Sequence, residues 1–379
     1  MTKSAQDDQS ATMSYEGESQ ALDAEILGVI DAWHKRGELL GDHAFNDLAL
    51  RLFAYQLRYN QPYAGYCSRL GFTLSALPNS WEAIPAVPAA AFKEASLTTF
   101  DPAKASLVFE TSGTTAREAG LHFMETPVLY DAALLAGFDR FILADGARLQ
   151  YFNLVPNPAE RPGSSLGYMM NRVGDERGDG RTRWYLRGDD LLFDRFETEL
   201  REAIQANQGV CIASTAFALV RLLDEMDRRG IRFALPRGSR VMETGGFKGR
   251  TRAVGRDELY ARIVAGFALA NDAIVAEYGM TELTSQYYDA EPVLRRKAAP
   301  PWLRARVVGP DRKTLPDGEL GALLHVDLAN RSSCIAIQTE DLGMQFDDGL
   351  VLVGRDQDAS PRGCSLDAEE LCATAHRSA

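Results

Sequence analysis

Several features that mark whole classes of protein are scarce in this chain of 379 residues. It has five cysteines, Cys67, Cys211, Cys334, Cys364 and Cys372, and none lies in a CxxC or Cys/His spacing typical of a metal site. A structural zinc site of that kind is therefore excluded. An odd number of cysteines, without an export signal, favours free thiols over a disulfide framework.

Long apolar runs and basic blocks are also missing. No run is long enough to cross a bilayer, and residues 1–20 are polar and acidic, so we predict no membrane span and a cytoplasmic protein. The net charge of −12, without a dense Lys/Arg block, argues against nucleic acid as a partner. The sequence GxxxxGK[ST] does not occur, which excludes a P-loop nucleotide site.

The composition that remains is that of a globular protein, with 45% hydrophobic and 25% charged residues. We divide the chain into four parts. They are a disordered N-terminal tail at 1–21, an α/β core at 22–300, a β-rich sublobe at 301–353, and a hinge with a short C-terminal tail at 354–379.

Alternation of short apolar runs with amphipathic stretches predicts an α/β sheet covered by helices. Expected strands are 107–109, 149–155, 209–213, 240–243 and 274–276. Expected helices are 45–59 and two amphipathic stretches whose apolar faces include Phe196 and Val220. After Pro300, Asp317-Gly318 and Asp348-Gly349 predict hairpin turns.

A loop of hydroxyl residues follows the first of these strands and consists of Thr111, Ser112, Gly113, Thr114 and Thr115. Backbone N–H groups beside glycine and Ser/Thr hydroxyls can surround the oxygens of a polyphosphate. An ordinary turn is the alternative interpretation of this segment taken alone.

The segment Glu277-Tyr278-Gly279-Met280-Thr281-Glu282 follows the strand at 274–276. The ring of Tyr278 can pack on adenine, Thr281 can reach phosphate, and Glu282 can hold Mg²⁺. The alternative for Glu282 is a carboxylate at the start of a helix.

Three further segments carry candidate site residues. Gly245 and Gly246 follow a strand, where backbone can approach a flat ligand, although a plain glycine turn would look the same. Asp341 can accept hydrogen bonds from both hydroxyls of a ribose, and a turn residue is the alternative. Arg355 can reach the same sugar or a phosphate, and a solvated surface arginine is the alternative. Cys364, near Arg362 and the C-terminus, has a setting that favours the thiolate and hence attack on an activated acyl group, and an inert lone cysteine is the alternative.

Taken together, these segments resemble the LuxE-type acyl-protein synthetases, a branch of the adenylate-forming superfamily. The resemblance is carried by FNDLALRLFAYQLRYNQPY (45–63), IPAVPAAAFKE (84–94), FETSGTT (109–115), ETGGFKGR (243–250), EYGMTELTSQYYD (277–289) and the segment 354–366 with PRGCSL.

This resemblance implies the large-domain fold of adenylate-forming enzymes, with mixed sheets covered by helices, a β-rich C-terminal sublobe and no full-length C-terminal lid domain. It implies that the protein uses ATP and Mg²⁺ to activate a carboxylic acid as an acyl adenylate, and we expect a fatty acid. The acyl group then passes to Cys364, for delivery to a partner reductase or acyltransferase.

The residue roles that the resemblance implies fall into four groups. Phosphate contacts are assigned to Thr111, Ser112, Thr114, Thr115 and Thr281; adenine contacts to Gly245, Gly246 and Tyr278; ribose contacts to Asp341 and Arg355; and Mg²⁺ to Glu282. Gly113 and Gly279 are counted with the nucleotide-binding residues without a separate role.

Two departures from the superfamily pattern concern basic residues. Where the phosphate loop of the superfamily continues through glycine towards a lysine, this chain has Ala116 and Arg117. The sequence also leaves no room for a lid of about one hundred residues, which carries a lysine in larger relatives. Lys248, Arg250 or Arg362 is then expected to supply that charge. A ligase that releases the acyl group directly onto coenzyme A or an amine, and a catalytically inactive nucleotide-binding subunit, remain alternatives.

Overall fold

The computed structural model describes residues 14–111, 119–245, 255–291 and 295–355, and the structural statements below concern these ranges. For Glu291 and Arg355 only the backbone is described. The α-helices within these ranges are α1 Tyr15–Arg36, α2 Asp42–Tyr59, α3 Gln61–Arg69, α4 Ala91–Glu94, α5 Val128–Phe141, α6 Ser165–Arg177, α7 Phe193–Gln205, α8 Ala216–Arg229 and α9 Arg256–Phe267.

The strands are short, and most of them belong to one sheet. They are β1 Val87–Pro88, β2 Leu107–Glu110, β3 Leu121–Met124, β4 Gln150–Leu154, β5 Arg183–Trp184, β6 Leu186–Arg187, β7 Asp190–Leu191, β8 Val210–Thr215, β9 Arg240–Thr244, β10 Ile274–Tyr278, β11 Tyr287–Glu291, β12 Arg296–Ala298, β13 Leu303–Val308, β14 Gly321–Asp327, β15 Ala336–Phe346 and β16 Gly349–Arg355.

In the described part of the chain, a 12-stranded mixed sheet runs in the order β13-β14-β15-β16-β12-β11-β10-β9-β8-β4-β5, with β1 paired to β15. At one end of this sheet, the five strands β10, β9, β8, β4 and β5 are parallel to one another. From β10 to the other end at β13, each strand pairs antiparallel with its neighbour. Strands β2 and β3 form a separate antiparallel ribbon, as do β6 and β7.

Helices cover both faces of the parallel strands. Successive side chains of a strand point to opposite faces. On β8, Cys211 and Ala213 therefore pack with α5 and α6, while Val210 and Ile212 pack with α7, α8 and α9. Burial on both faces explains why β8 is a continuous apolar run. The predicted α/β sheet with helical cover is confirmed.

The N-terminal helix corrects one prediction. Residues 1–21 were expected to be a disordered tail, but α1 begins at Tyr15, and the Ser14 hydroxyl accepts a hydrogen bond from the Gly17 N–H at 3.3 Å. The first turns of this helix are mostly polar, so the sequence shows no apolar helical pattern there. The N-cap and the acidic residues of the first turn, Glu16 and Glu18, stabilise it instead.

The predicted hairpins after Pro300 are present. Strands β15 and β16 pair from Asp341 opposite Arg355 to Phe346 opposite Gly349, so the turn at residues 347–348 joins them directly. Strands β13 and β14 also pair antiparallel across the segment that contains Asp317-Gly318. Because β12 pairs with β16, these strands continue the main sheet, and a boundary at residue 300 stays a prediction.

No helix among the described residues is both long enough and apolar enough to span a membrane.

Candidate functional site

Two of the candidate segments, those that follow β9 and β10, begin at the carboxyl ends of the parallel strands. Thr244, the last residue of β9, lies opposite Thr215 of β8 on one side and Glu277 of β10 on the other. In open α/β sheets, ligands bind beyond this edge, where strand ends and loops meet. Gly245 follows Thr244 directly, is exposed, and has φ +71°, a left-handed conformation that glycine adopts without strain.

Thr281 links the second candidate segment to the β2–β3 ribbon. Its hydroxyl donates a hydrogen bond of 3.3 Å to the carbonyl oxygen of Glu110, 171 residues earlier in the chain. Its own carbonyl oxygen lies 2.7 Å from Nδ1 of His122, on the opposite strand of the ribbon. Thr281 therefore lies beside the end of β2, which immediately precedes Thr111.

Thr111 closes the base of the hydroxyl loop. Its N–H donates to the carbonyl oxygen of Gly120 at 2.9 Å, and the Gly120 N–H donates to its side-chain oxygen at 2.7 Å. A Cβ on Gly120 would lie 3.1 Å from the backbone of Phe92, so both ends of the loop are fixed. The predicted phosphate contacts Ser112, Gly113, Thr114 and Thr115 lie outside the described residues.

Glu277 is a buried carboxyl group between the glycine-containing segments. The Thr244 hydroxyl donates a hydrogen bond to it, and a Cβ on Gly279 would come within 2.4 Å of its Oε1 atom. Gly279 therefore has no room for a side chain unless Glu277 moves. Burial raises the pKa of Glu277 to about 7, while the Thr244 hydrogen bond and the Lys297 charge act in the opposite direction.

Tyr278 belongs to a hydrogen-bonded chain of four side chains. Its O–H donates to Asp341 at 2.9 Å, and its oxygen lies 3.3 Å from Nε2 of His325. Tyr287 approaches the other ring nitrogen of His325 at 2.8 Å. Since each phenol has a single proton, His325 donates from Nε2 to Tyr278 and accepts at Nδ1 from Tyr287. This sequence of donors fixes the ring of Tyr278 beside Asp341.

The predicted ribose residues are neighbours. Asp341 of β15 and Arg355 of β16 are directly opposite each other in the antiparallel register, 14 positions apart in the chain. The two residues are therefore on adjacent strands, and the side chain of Asp341 contacts Tyr278, the predicted adenine contact.

Glu282, the predicted Mg²⁺ ligand, follows Thr281 and is 8% exposed. Its carbonyl oxygen accepts a hydrogen bond from Asn330 at 2.9 Å, and the N–H groups of Thr284 and Ser285 donate to Asp327. The described residues contain no group of three His, Cys, Asp or Glu side chains that could hold a metal. Mg²⁺ held by one carboxylate together with phosphate oxygens needs no such group.

Four other predicted residues, Gly246, Lys248, Arg362 and Cys364, lie outside the described residues. Sequence reasoning missed Glu110, His122, His325 and Asp327. The available signal was a single polar residue within an apolar strand, as for His122 between Leu121 and Phe123, and for His325 between Leu324 and Val326. A histidine in such a strand must find partners when buried.

Comparison with known proteins identifies a family and relatives that this chain resembles. Residues 187–370 match the family model described as Acyl-protein synthetase, LuxE. A curated relative is a long-chain-fatty-acid–luciferin-component ligase from Aliivibrio fischeri, 22% identical over 303 residues, which cover 78% of each chain.

Solved structures with a similar fold include an open conformation of 2-hydroxyisobutyryl-CoA ligase in complex with 2-HIB-AMP and CoA. Its TM-score is 0.59 at 13% identity, and the match covers 86% of this chain and 74% of that one. McyG A-PCP, complexed with phenylalanyl-adenylate, has a TM-score of 0.49 at 17% identity over 68% of this chain. This chain spans about half (48%) of the length of that protein.

These matches support an AMP-forming ligase. The family match, the curated relative and the shared fold confirm the predicted resemblance of this chain to the LuxE-type acyl-protein synthetases of the adenylate-forming superfamily.

Proposed function

We propose that this chain activates a carboxylic acid with ATP and then holds the acyl group as a thioester on Cys364. In the first step, a carboxylate oxygen bonds to the α-phosphorus of ATP, the bond from that phosphorus to the bridging oxygen breaks, and pyrophosphate leaves. In the second, the Cys364 thiolate bonds to the acyl carbon, the bond from carbon to the AMP oxygen breaks, and AMP leaves.

The observation that carries this proposal is the hydrogen bond from Thr281 to the carbonyl oxygen of Glu110. It brings the base of a hydroxyl-rich loop and the Tyr278–Glu282 segment to one edge of the sheet. Polyphosphate binding needs donors that converge on one charge-dense group, and their effect depends on position. Two such segments on opposite surfaces would not support adenylation.

Each described residue has a part in this proposal. Tyr278 packs on adenine, Asp341 accepts hydrogen bonds from the ribose hydroxyls, and Arg355 on the adjacent strand helps to hold that sugar. Thr111 donates to a phosphate oxygen, and Thr281 lies against the α-phosphate while its hydroxyl proton stays on the Glu110 carbonyl oxygen. Glu282 holds Mg²⁺, which would neutralise charge on the polyphosphate.

The remaining roles fall outside the described residues. Ser112, Gly113, Thr114 and Thr115 contact phosphates, Gly246 lies beside adenine, and Lys248 or Arg362 offsets the negative charge at the reacting phosphorus. We place the acyl group on Cys364 because a cation nearby favours the thiolate, the nucleophilic form of cysteine.

The test combines two measurements. Acid-dependent exchange of pyrophosphate into ATP reports the first step, and covalent label from a radiolabelled acid reports the second. We expect Cys364→Ser to abolish the protein-bound label while exchange persists, and the matched variant Cys372→Ser to retain both. Exchange without label on the wild-type protein would contradict the thioester step, and no exchange with any acid would contradict the whole proposal.

Direct release of the acyl group to coenzyme A is the second candidate, favoured by the fold shared with 2-hydroxyisobutyryl-CoA ligase. Formation of acyl-CoA at an unchanged rate by Cys364→Ser would support it.

For the substrate, we propose an aliphatic long-chain acid, since the curated relative is named a long-chain-fatty-acid ligase. The acyl group would pass to a partner reductase or acyltransferase. Pyrophosphate release across a panel of aliphatic and aromatic acids tests the acid, and loss of protein-bound label on adding such a partner tests the transfer.

A further inference from the structure

We propose that His122 is a positioning residue, which holds Thr281 in place for phosphate contact through a hydrogen bond from Nδ1 to the Thr281 carbonyl oxygen. This inference rests on the proposed function and adds to it a residue outside the motifs of the sequence analysis.

The distance and chemistry of this contact determine which atom donates the hydrogen bond. Nδ1 of His122 lies 2.7 Å from the Thr281 carbonyl oxygen. A carbonyl oxygen can only accept, so the proton is on Nδ1. His122 is 2% exposed, and burial lowers its pKa to about 4, which leaves the ring neutral at physiological pH.

Two strands hold Thr281 from different sides. The Thr281 side chain donates to Glu110 on β2, and its backbone accepts from His122 on β3. Both strands lead into the hydroxyl loop, because β2 ends at Glu110 and β3 begins at Leu121. The position of Thr281 relative to these two strands is therefore set by two hydrogen bonds, of which His122 provides one.

The ring of His122 is itself fixed. It packs edge-on against Phe92, with 5.8 Å between ring centroids and 76° between ring planes. On the same strand, Gly120 lies so close to the Phe92 backbone that a Cβ there would be at 3.1 Å. The ring of His122 is thus held by a packing contact besides its hydrogen bond to Thr281.

The substitutions that test this separate the hydrogen bond from the packing. In His122→Asn, the amide nitrogen is one bond beyond Cγ, as Nδ1 is in histidine, so it can donate to the same carbonyl. His122→Phe keeps a planar ring but has no donor. Ser239→Ala is the control, because it removes another buried hydrogen bond, from the Val210 N–H at 3.1 Å, at the amino ends of β8 and β9.

We expect His122→Phe to reduce kcat/KM for MgATP in acid-dependent pyrophosphate exchange by about 10-fold, with His122→Asn within about 3-fold of wild type, the range of one buried hydrogen bond. Hydrogen exchange of a peptide covering residues 278–284 should accelerate in His122→Phe and not in Ser239→Ala. Equal exchange of that peptide and equal kinetics in His122→Phe and Ser239→Ala would overturn the inference.

The hydrogen-exchange measurement separates this inference from the proposed function. Faster exchange at residues 278–284 in His122→Phe, restored in His122→Asn, would support the role of His122 even if no acid promoted pyrophosphate exchange. In that case the adenylation proposal alone would fail. Unchanged protection in His122→Phe, with active wild-type enzyme, would remove the inference and leave the proposed function intact.

Discussion

The phenol of Tyr278 donates a hydrogen bond of 2.9 Å to the carboxylate of Asp341, 63 residues further along the chain. One residue is at the carboxyl end of β10 and the other is within β15, and the sheet brings them together. The bond joins a ring suited to adenine with a carboxylate suited to ribose. The two residues proposed to bind adenine and ribose are therefore linked by a direct hydrogen bond.

The first prediction concerns this bond. Tyr278→Phe keeps the ring but removes the proton donated to Asp341, so we expect KM for MgATP to rise about 3- to 10-fold with a smaller change in kcat. Asp341→Ala should raise KM further, since it removes the group proposed to bind the ribose. Pyrophosphate-exchange kinetics give both constants, and a Tyr278→Phe enzyme with unaltered KM would show that the bond does not order the site.

The second prediction tests the space at Gly279. Gly279→Ala would place Cβ within 2.4 Å of Glu277, which must then move and lose its hydrogen bond from Thr244. We expect a loss of about 1 to 3 kcal/mol in the free energy of unfolding, as for other overpacked sites. Urea denaturation measures it.

Gly28→Ala is the matched control for Gly279→Ala. Gly28 lies on an exposed part of α1, where a Cβ would have no atom within 4 Å. Alanine there should stabilise the protein by about 0.5 to 1 kcal/mol, because it favours the helix. Equal effects of the two substitutions would show that Glu277 does not restrict Gly279.

The third prediction concerns pH. The pKa of Glu277 rises from an ordinary value of 4.5 to about 7 in the folded protein, chiefly through burial. Between these values the unfolded chain has lost this proton and the folded protein has kept it, so the stability from Glu277 is full below about pH 4.5 and is lost as pH rises through 7.

Glu277→Gln is always neutral and keeps an oxygen for the Thr244 hydroxyl. We expect its melting temperature to fall less steeply than that of wild type between pH 5 and 8. Glu243→Gln should act in the same direction, because burial also raises the pKa of Glu243 to about 7. Parallel melting profiles for wild type and Glu277→Gln would refute a proton on Glu277 at neutral pH.

The fourth prediction concerns the buried ion pairs of Asp289. Asp289 is fully buried, lies 2.7 Å from Nζ of Lys297 and 3.3 Å from Arg295, and accepts from the Ala276 N–H of β10. Asp289→Ala leaves two buried cations without this partner and should destabilise the protein by about 3 to 5 kcal/mol.

Urea denaturation compares this variant with Lys313→Ala, whose ion pair with Asp311 is mostly exposed. That control should change stability by about 1 kcal/mol or less. A loss of similar size in both variants would contradict a structural role for Asp289.

Much of the fold is predictable from the sequence because its signals are local. The continuous apolar run of β8 and the spacing of Phe193, Phe196 and Leu200 on α7 mark buried strand and helix without reference to distant residues. The start of α1 at Tyr15 was missed, since its first turns are polar and its apolar face begins later, at Leu22.

The sequence by itself determined which residue types are available to the site: a hydroxyl loop after β2, and a ring, glycine, hydroxyl and carboxylate after β10. Only the tertiary structure decided that Thr281 contacts Glu110 and His122, that Tyr278 contacts Asp341, and that Glu277 fills the space beside Gly279. The physical reason is that the contacts of Thr281 and Tyr278 join segments far apart in the chain. Which segments meet depends on the order and register of the strands and on where the β2–β3 ribbon packs, and these follow from the packing of all the strands and helices at once.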